Sequence, residues 1–324
     1  MLNAGKGRAA LLRWYRRHGR RLEWRSRAGA AVDPYRVWVS EIILQQTRAA
    51  VAGRYFNRFV ERFPSIAQLA AAPADAVLAL WSGLGYYQRA RRLHQAAQII
   101  VAEHGGTLPR ERAALLALPG IGGYTAGAIL SIAYGVPMTA VDGNAQRIAS
   151  RLSGRALNLR DAEAQIAGWF SKRRPGDFNQ ALMDLGATVC LPHHPDCPRC
   201  PLRPFCRTRA ALPAGGKRTV VAVEYDYRFA LRRRSGAPSI WLRQRPANAR
   251  QLAGMWELPA ARSGGGRRLA TIGHSITNQK IQANIYAGAA SGGGAWFTEA
   301  QAAAAPLTGL TRKALHTVAG WKFN

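Results

Sequence analysis

Apolar residues recur at helical spacing over 11–14, again over 37–46, and then through Ala/Leu-rich stretches as far as Ala187, which predicts that the first two-thirds of the chain is helical. Pro64, Pro73, Pro109, Pro119, Gly135 and Pro137 fall between the periodic stretches, as they would between short helices joined by tight turns. Beyond Cys206 the pattern changes. The segment 212–217 (Leu-Pro-Ala-Gly-Gly-Lys) reads as a linker, and the apolar runs 220–223, 239–242 and 281–286 read as strands of a smaller α+β domain starting near residue 218. The glycine-rich tetrads 263–266 and 291–294 read as loop tips, and no repeat of solenoid period is present.

A chain of 324 residues suits about two domains of roughly 150 residues, each able to bury a core without disulfides. Charge narrows the function. Lys+Arg number 46 against 17 Asp+Glu, a formal net charge of +29, while 48% hydrophobic residues marks a folded globule. Part of that excess is ascribed to an Arg-rich coding bias; the rest asks for a polyanionic partner, and nucleic acid is the commonest one. The sequence shows neither a signal peptide nor an apolar run of about 18 residues, so the expectation is a cytoplasmic protein with no membrane partner.

All four cysteines fall in one segment, Cys190, Cys197, Cys200 and Cys206. A reducing compartment disfavours disulfides, so the cluster points to metal. Zinc sites of four cysteines usually come as two C-x2-C pairs, whereas here only Cys197 and Cys200 form one; the spacing favours a four-thiolate iron–sulfur cluster and leaves zinc open. His193 and His194 read as solvated loop residues.

Upstream, the run 118–126 (Leu-Pro-Gly-Ile-Gly-Gly-Tyr-Thr-Ala) sets glycines around Ile121 between helical stretches. Such a turn brings backbone N–H groups and a helix N-terminus close to an anion, and it equally suits a helix–helix turn with no ligand. Asp142, in Val-Asp-Gly-Asn over 141–144, is a preferred residue type for a helix N-cap.

Taken together, the glycine hairpin, the Asp some twenty residues on and the four-cysteine loop resemble the helix-hairpin-helix DNA glycosylases of the endonuclease III superfamily, over most of residues 8–210. Several stretches are similar to the MutY-type adenine glycosylases in particular: Trp24-Arg25, Asp33-Pro34-Tyr35, the run 38–47 (WVSEIILQQT), the run 83–87 (GLGYY), 141–144 and the run 178–186 (FNQALMDLG). The resemblance implies a catalytic region over 1–211, with a six-helix barrel at about 28–135 and a [4Fe-4S] domain formed by about 1–27 and 136–211, held by Cys190, Cys197, Cys200 and Cys206. A linker over 212–218 and a Nudix-like domain over 219–324 follow. It also implies a monomer acting in base excision repair on double-stranded DNA with adenine opposite 8-oxoguanine or guanine.

Site roles follow from the same resemblance. Lyase members carry lysine where this chain has Tyr124, so a monofunctional enzyme without strong lyase activity is expected. Excising an intact purine needs a proton donor at the base and a negative charge beside the sugar cation, the two-carboxylate logic of glycoside hydrolysis, and Glu41 and Asp142 supply the pair. Glu41 stands among Trp38, Val39, Ile42, Ile43 and Leu44, so its pKa should be raised. Asn144 and Tyr124 would position Asp142 and the sugar; Arg25 and Gln180 would read the everted adenine beside Trp24. Gln46, Leu84 and Tyr86 would probe the duplex, and Gly120 and Gly122 would meet phosphate. From spacing alone, Tyr86 and Tyr87 read as core aromatics.

The run 239–259 is similar to the front half of a Nudix domain, but the metal-binding glutamates are missing after it, so neither nucleotide hydrolysis nor Mg²⁺ binding is expected. Two departures stand out. Ile276-Thr277-Asn278 replaces the family's Phe-Ser-His loop, leaving Thr277 to meet 8-oxoguanine, and Glu23 stands where proline commonly precedes the Trp-Arg pair.

Overall fold

The computed structural model describes residues 4–25, 32–47, 49–208, 220–234, 237–249, 251–261, 266–276 and 279–323. The linker 212–218, Thr277 and Asn278 lie outside them. The chain divides into two compact units, residues 1–71 with 95–215 and residues 72–94 with 216–324.

In the first unit the helices are α1 (Ala4–His18), α2 (Pro34–Leu44), α3 (Ala49–Arg62), α4 (Ile66–Ala71), α7 (Arg112–Ala117), α8 (Gly123–Ile132), α9 (Gly143–Ser153), α10 (Leu159–Ala167) and α11 (Pro175–Thr188). Helix α5 (Ala74–Trp81) belongs to the second unit, and the division falls within α6 (Gln88–Glu103). The helical expectation and the proline punctuation hold, with a shift at α2. It starts three residues earlier than the apolar period suggests, because Asp33 accepts a 2.9 Å bond from the Tyr35 N–H and Pro34 presets the first turn. It stops at Leu44 rather than Gln46, since Gln46 has a left-handed backbone, φ 60°.

Three long-range contacts hold the frame beneath the site. Tyr35 donates to the Phe63 carbonyl at 2.6 Å. Asn179 on α11, fully buried, donates to Ser131 Oγ and the Met138 carbonyl and accepts from the Ala140 N–H, fixing the segment that leads into Asp142. Gly127 on α8 lies so close to this segment that a methyl group would overlap the Thr139 carbonyl. A core of Leu11, Val141, Ile148, Phe178, Leu182 and Leu185 joins α1, α9 and α11, and Cys190, Cys200 and Cys206 pack against it.

The second unit carries two sheets, one of β1 (Val221–Phe229), β6 (Gln279–Ala287) and β5 (Arg268–Ile276), the other of β2 (Leu231–Arg234), β3 (Ala237–Gln244), β4 (Trp256–Glu257) and β7 (Ala295–Thr298). β1 runs parallel to β6 and the remaining pairs are antiparallel. With α12 (Glu299–Ala304) and α13 (Gly309–Ala319) they enclose a core of Ile240, Leu242, Ile281, Ala283, Ile285, Leu307 and Leu315. This small mixed-sheet domain is consistent with a Nudix-like fold. Residues 72–94, expected within the helical barrel, group here instead. The reason is hydrogen bonding: Ser82 Oγ and the Tyr87 hydroxyl both donate to the Leu307 carbonyl, and Arg91 donates to the Ala253 carbonyl.

Candidate active site

A cleft of about 2270 Å³ opens in the first unit, lined by Trp24, Arg25, Glu41, Gln46, Tyr124, Asp142, Asn144, Gln180 and Met183 among others. Eight of the residues singled out from sequence therefore share one cavity. Leu84 and Tyr86 belong to the other unit, and Gly120 and Gly122 form the turn before α8.

Glu41 comes from the middle of α2 and is 4% exposed. Burial pushes its carboxyl up to about 7, against lowering by the Tyr124 hydrogen bond and the Arg25 charge, with Asp142 pushing the same way as burial. Tyr124, in the first turn of α8, donates to Glu41 Oε2 at 2.8 Å, which leaves Oε1 as the oxygen to carry a proton. Burial, with Glu41 and Asp142 close by, lifts the Tyr124 phenol well above its usual value, so it stays a donor.

Asp142 is the N-cap of α9: its Oδ1 accepts from the Ala145 N–H at 2.8 Å and its Oδ2 from Asn144 Nδ2 at 2.9 Å. The N-cap reading and the pocket reading are thus both true of one residue. Arg147 extends the chain, donating to Asn144 Oδ1 at 2.9 Å, the Gly186 carbonyl at 2.8 Å and the Cys190 carbonyl at 2.9 Å.

Arg25 is more committed than its sequence role suggests. Its two Nη groups grip Asp184 at 2.8 and 2.9 Å, and Arg20 adds a third charged bond at 2.7 Å. Burial alone would raise the Asp184 carboxyl, but the Arg25 bond and the two nearby guanidinium charges hold it below its usual value. Its stabilising contribution is therefore present above the ordinary carboxylate range and is lost as pH falls through the lowered value. Asp184→Asn leaves two cations facing a neutral amide, and a loss of about 3–5 kcal/mol is expected in urea unfolding at pH 7, shrinking on acidification; an unchanged midpoint would contradict the assignment. Gln180 lines the cleft and, among the described residues, its amide has no hydrogen-bond partner. Trp24 is buried, its ring edge-on to Phe56 at 5.7 Å.

The hairpin turn has Gly120 at φ 82°, and Gly122 is the N-cap of α8 with no side-chain cap. Tyr86 and Tyr87 divide: Tyr87 is buried, whereas Tyr86 is 44% exposed with φ 49°. Among the described residues Gln46, Tyr86 and Leu252 are the non-glycine residues in left-handed backbone, so two of the expected duplex probes are conformationally strained.

The four cysteines are half-buried, and His193 and His194 are exposed. Burial pushes Cys200 up to about 11, and the neighbouring thiols push it the same way. Arg151, 3% exposed, donates to Cys190 Sγ at 3.1 Å and to the Leu191 and Pro192 carbonyls. Among the described residues no three His, Cys, Asp or Glu side chains converge as ligands of one metal ion. The donor set still fits a thiolate-bound centre: four sulfurs in one loop, close enough for their charges to disfavour one another, with cationic guanidinium against one of them.

Residues 39–170 match the HhH-GPD superfamily of base excision DNA repair proteins. The fold agrees: a solved non-covalent endonuclease III–DNA complex aligns with TM-score 0.55 at 24% identity, over 64% of this chain and 96% of that one. A thermostable thymine-DNA glycosylase aligns with TM-score 0.55 at 28% identity, over 62% and 93%. Over residues 39–170, about two-fifths of its length, the chain is similar to this superfamily. The curated relatives to which it is similar are adenine DNA glycosylases. Adenine DNA glycosylase of Homo sapiens is 44% identical over 215 residues, 62% of this chain and 39% of that protein, and the one from Buchnera aphidicola subsp. Baizongia pistaciae is 39% identical over 61% and 57%. The chain thus spans about two-fifths to three-fifths of the length of these relatives.

Proposed function

We propose that this protein is a monofunctional DNA glycosylase of base excision repair that hydrolyses the N-glycosidic bond of adenine opposite 8-oxoguanine or guanine. The carrying observation is a buried glutamate poised near neutrality, hydrogen-bonded by Tyr124, in the same cleft as an N-capping aspartate. Glu41 donates its proton to N7 of the everted adenine; the C1′–N9 bond breaks and its electron pair leaves with the base. Asp142 stabilises the resulting oxocarbenium ion, and a water supplies hydroxyl to C1′ while its proton passes to a carboxylate. The free amide of Gln180 suits recognition of a base edge, with Trp24 as a wall. Arg25, with both Nη groups on Asp184, contributes mainly charge and shape.

Double-stranded DNA is the partner. The turn at Gly120 and Gly122 with the N-terminus of α8 is the phosphate contact, Gln46, Leu84 and Tyr86 enter the duplex, and Thr277 contacts the opposing purine. Cys190, Cys197, Cys200 and Cys206 would hold a [4Fe-4S] cluster, which shapes the loop bearing Arg199 and Arg203. Purified protein is then expected to contain about four iron and four acid-labile sulfide per chain and to absorb in the visible; stoichiometric zinc without sulfide would contradict the cluster.

Duplexes with A:8-oxoguanine, A:G, T:G and U:G pairs, developed with and without alkali, test the substrate. Excision of adenine alone is expected, with strand breaks only after alkali. Excision confined to thymine or uracil would transfer the protein to the mismatch pyrimidine enzymes, and no excision at all would leave a DNA-binding protein.

A further inference from the structure

We propose that Ser82 and Tyr87 are positioning residues that clamp both ends of the turn 83–86 onto the Leu307 carbonyl, so that the C-terminal part of the chain holds Tyr86 ready to enter a duplex. The proposal rests on the reading of Tyr86 as a duplex probe.

The turn is strained. Gly83, Gly85 and Tyr86 all have left-handed backbone, φ 100°, 71° and 49°. Glycine tolerates this; a tyrosine keeps it only where its surroundings over-determine the conformation. The surroundings do so from two sides. Ser82 Oγ donates to the Leu307 carbonyl at 2.9 Å just before the turn, and the Tyr87 hydroxyl donates to the same carbonyl at 3.2 Å just after it. The Tyr87 oxygen also accepts from the Gly83 N–H at 3.3 Å, closing the loop on itself. From beneath, Trp81 Nε1 donates to the Gly85 carbonyl at 3.2 Å, and the Arg89 guanidinium lies 5.3 Å from the Trp81 ring and 5.6 Å from the Tyr86 ring.

Ser82, Tyr87 and Leu307 are all buried, so losing both donors strands a carbonyl away from water. Leu307 directly precedes Thr308, the N-cap of α13, and Lys313 on that helix donates to the Gly273 carbonyl of β5. The anchor is therefore fixed within the sheet domain, while Tyr86 stays exposed at the tip of what it anchors. A clamp more than 200 residues away in sequence makes the wedge a property of the C-terminal region.

The test pairs two substrates. Ser82→Ala/Tyr87→Phe keeps shape and removes both hydroxyls. Its single-turnover excision of adenine opposite guanine should fall about tenfold, as should that of Tyr86→Ala, while the clamp variant excises adenine opposite an abasic site, already unstacked, at the wild-type rate. Equal rates for variant and wild type on both duplexes would overturn the clamp, and so would equal slowing on both, which marks general damage to the fold. A second readout needs no catalysis. In a Glu41→Gln background, a duplex with 2-aminopurine opposite guanine should brighten on binding, and about twofold less with the clamp variant; equal brightening overturns the proposal. If the wild type excises no base, the adenine reading fails while the fluorescence still decides the clamp.

Discussion

Glu41→Gln is expected to lower single-turnover excision of adenine by about 10³-fold or more while making the protein more stable at alkaline pH. Gln keeps the shape and still accepts from Tyr124, but it has no proton to give, and general acid catalysis carries about 10²–10⁴ in rate. The stability gain follows from the same burial that makes the acid useful. The wild-type carboxyl titrates near 7 when folded against a usual 4.5, so the folded state holds its proton more tightly than the unfolded chain. Stability from that proton is fully present below pH 4.5 and is lost as pH rises through 7, about 3 kcal/mol by pH 8. The variant lacks this loss, so its urea midpoint should exceed that of wild type at pH 8 and match it near pH 4. Retained activity would remove Glu41 from the chemistry; a destabilised variant at pH 8 would mean that the buried carboxylate has a cationic partner strong enough to keep it charged.

Asp142→Asn should be as damaging to catalysis and cost only modestly in stability, because its amide nitrogen would face the Asn144 amide nitrogen that Oδ2 now accepts from. Asparagine caps helices as well as aspartate does, and its oxygen can still accept the Ala145 N–H that Oδ1 now accepts. What disappears is the charge beside the sugar cation, worth on the order of 10³ in rate at a preorganised site. A stability loss of about 1–2 kcal/mol in thermal unfolding, together with loss of turnover and retained duplex affinity, is the expected pattern. Asp142→Ala would add a loss of about 1 kcal/mol by removing the cap. Equal turnover in wild type and Asp142→Asn would reduce the residue to its capping role.

Much of this site was legible before any fold was at hand. The apolar run around Glu41 implied burial, and the structure buries it; Asp142 could be read both as a cap and as an acid, and it caps α9 while lining the cleft. What sequence missed is of one kind. Asp184 sits inside a quoted motif, yet its partners Arg20 and Arg25 lie 164 and 159 residues away, and Asn179 closes onto residues 39 to 48 positions back. Periodicity places a residue on a helix face but does not say which distant side chain meets it there. The same limit hid β2, β5, β7 and the grouping of residues 72–94 with the C-terminal region, because strand pairing and the Leu307 contacts are non-local. Spacing also could not separate Tyr86 from Tyr87, since in a turn two adjacent residues follow no period.

The most direct measurement is the pH dependence of single-turnover adenine excision by the wild-type protein between pH 5 and 9. The account predicts a rate that holds on the acid side and falls about tenfold per pH unit above about 7, as Glu41 loses its proton. A rate that is level through pH 9, or that climbs with pH, would contradict a protonated Glu41 as the acid that releases the base.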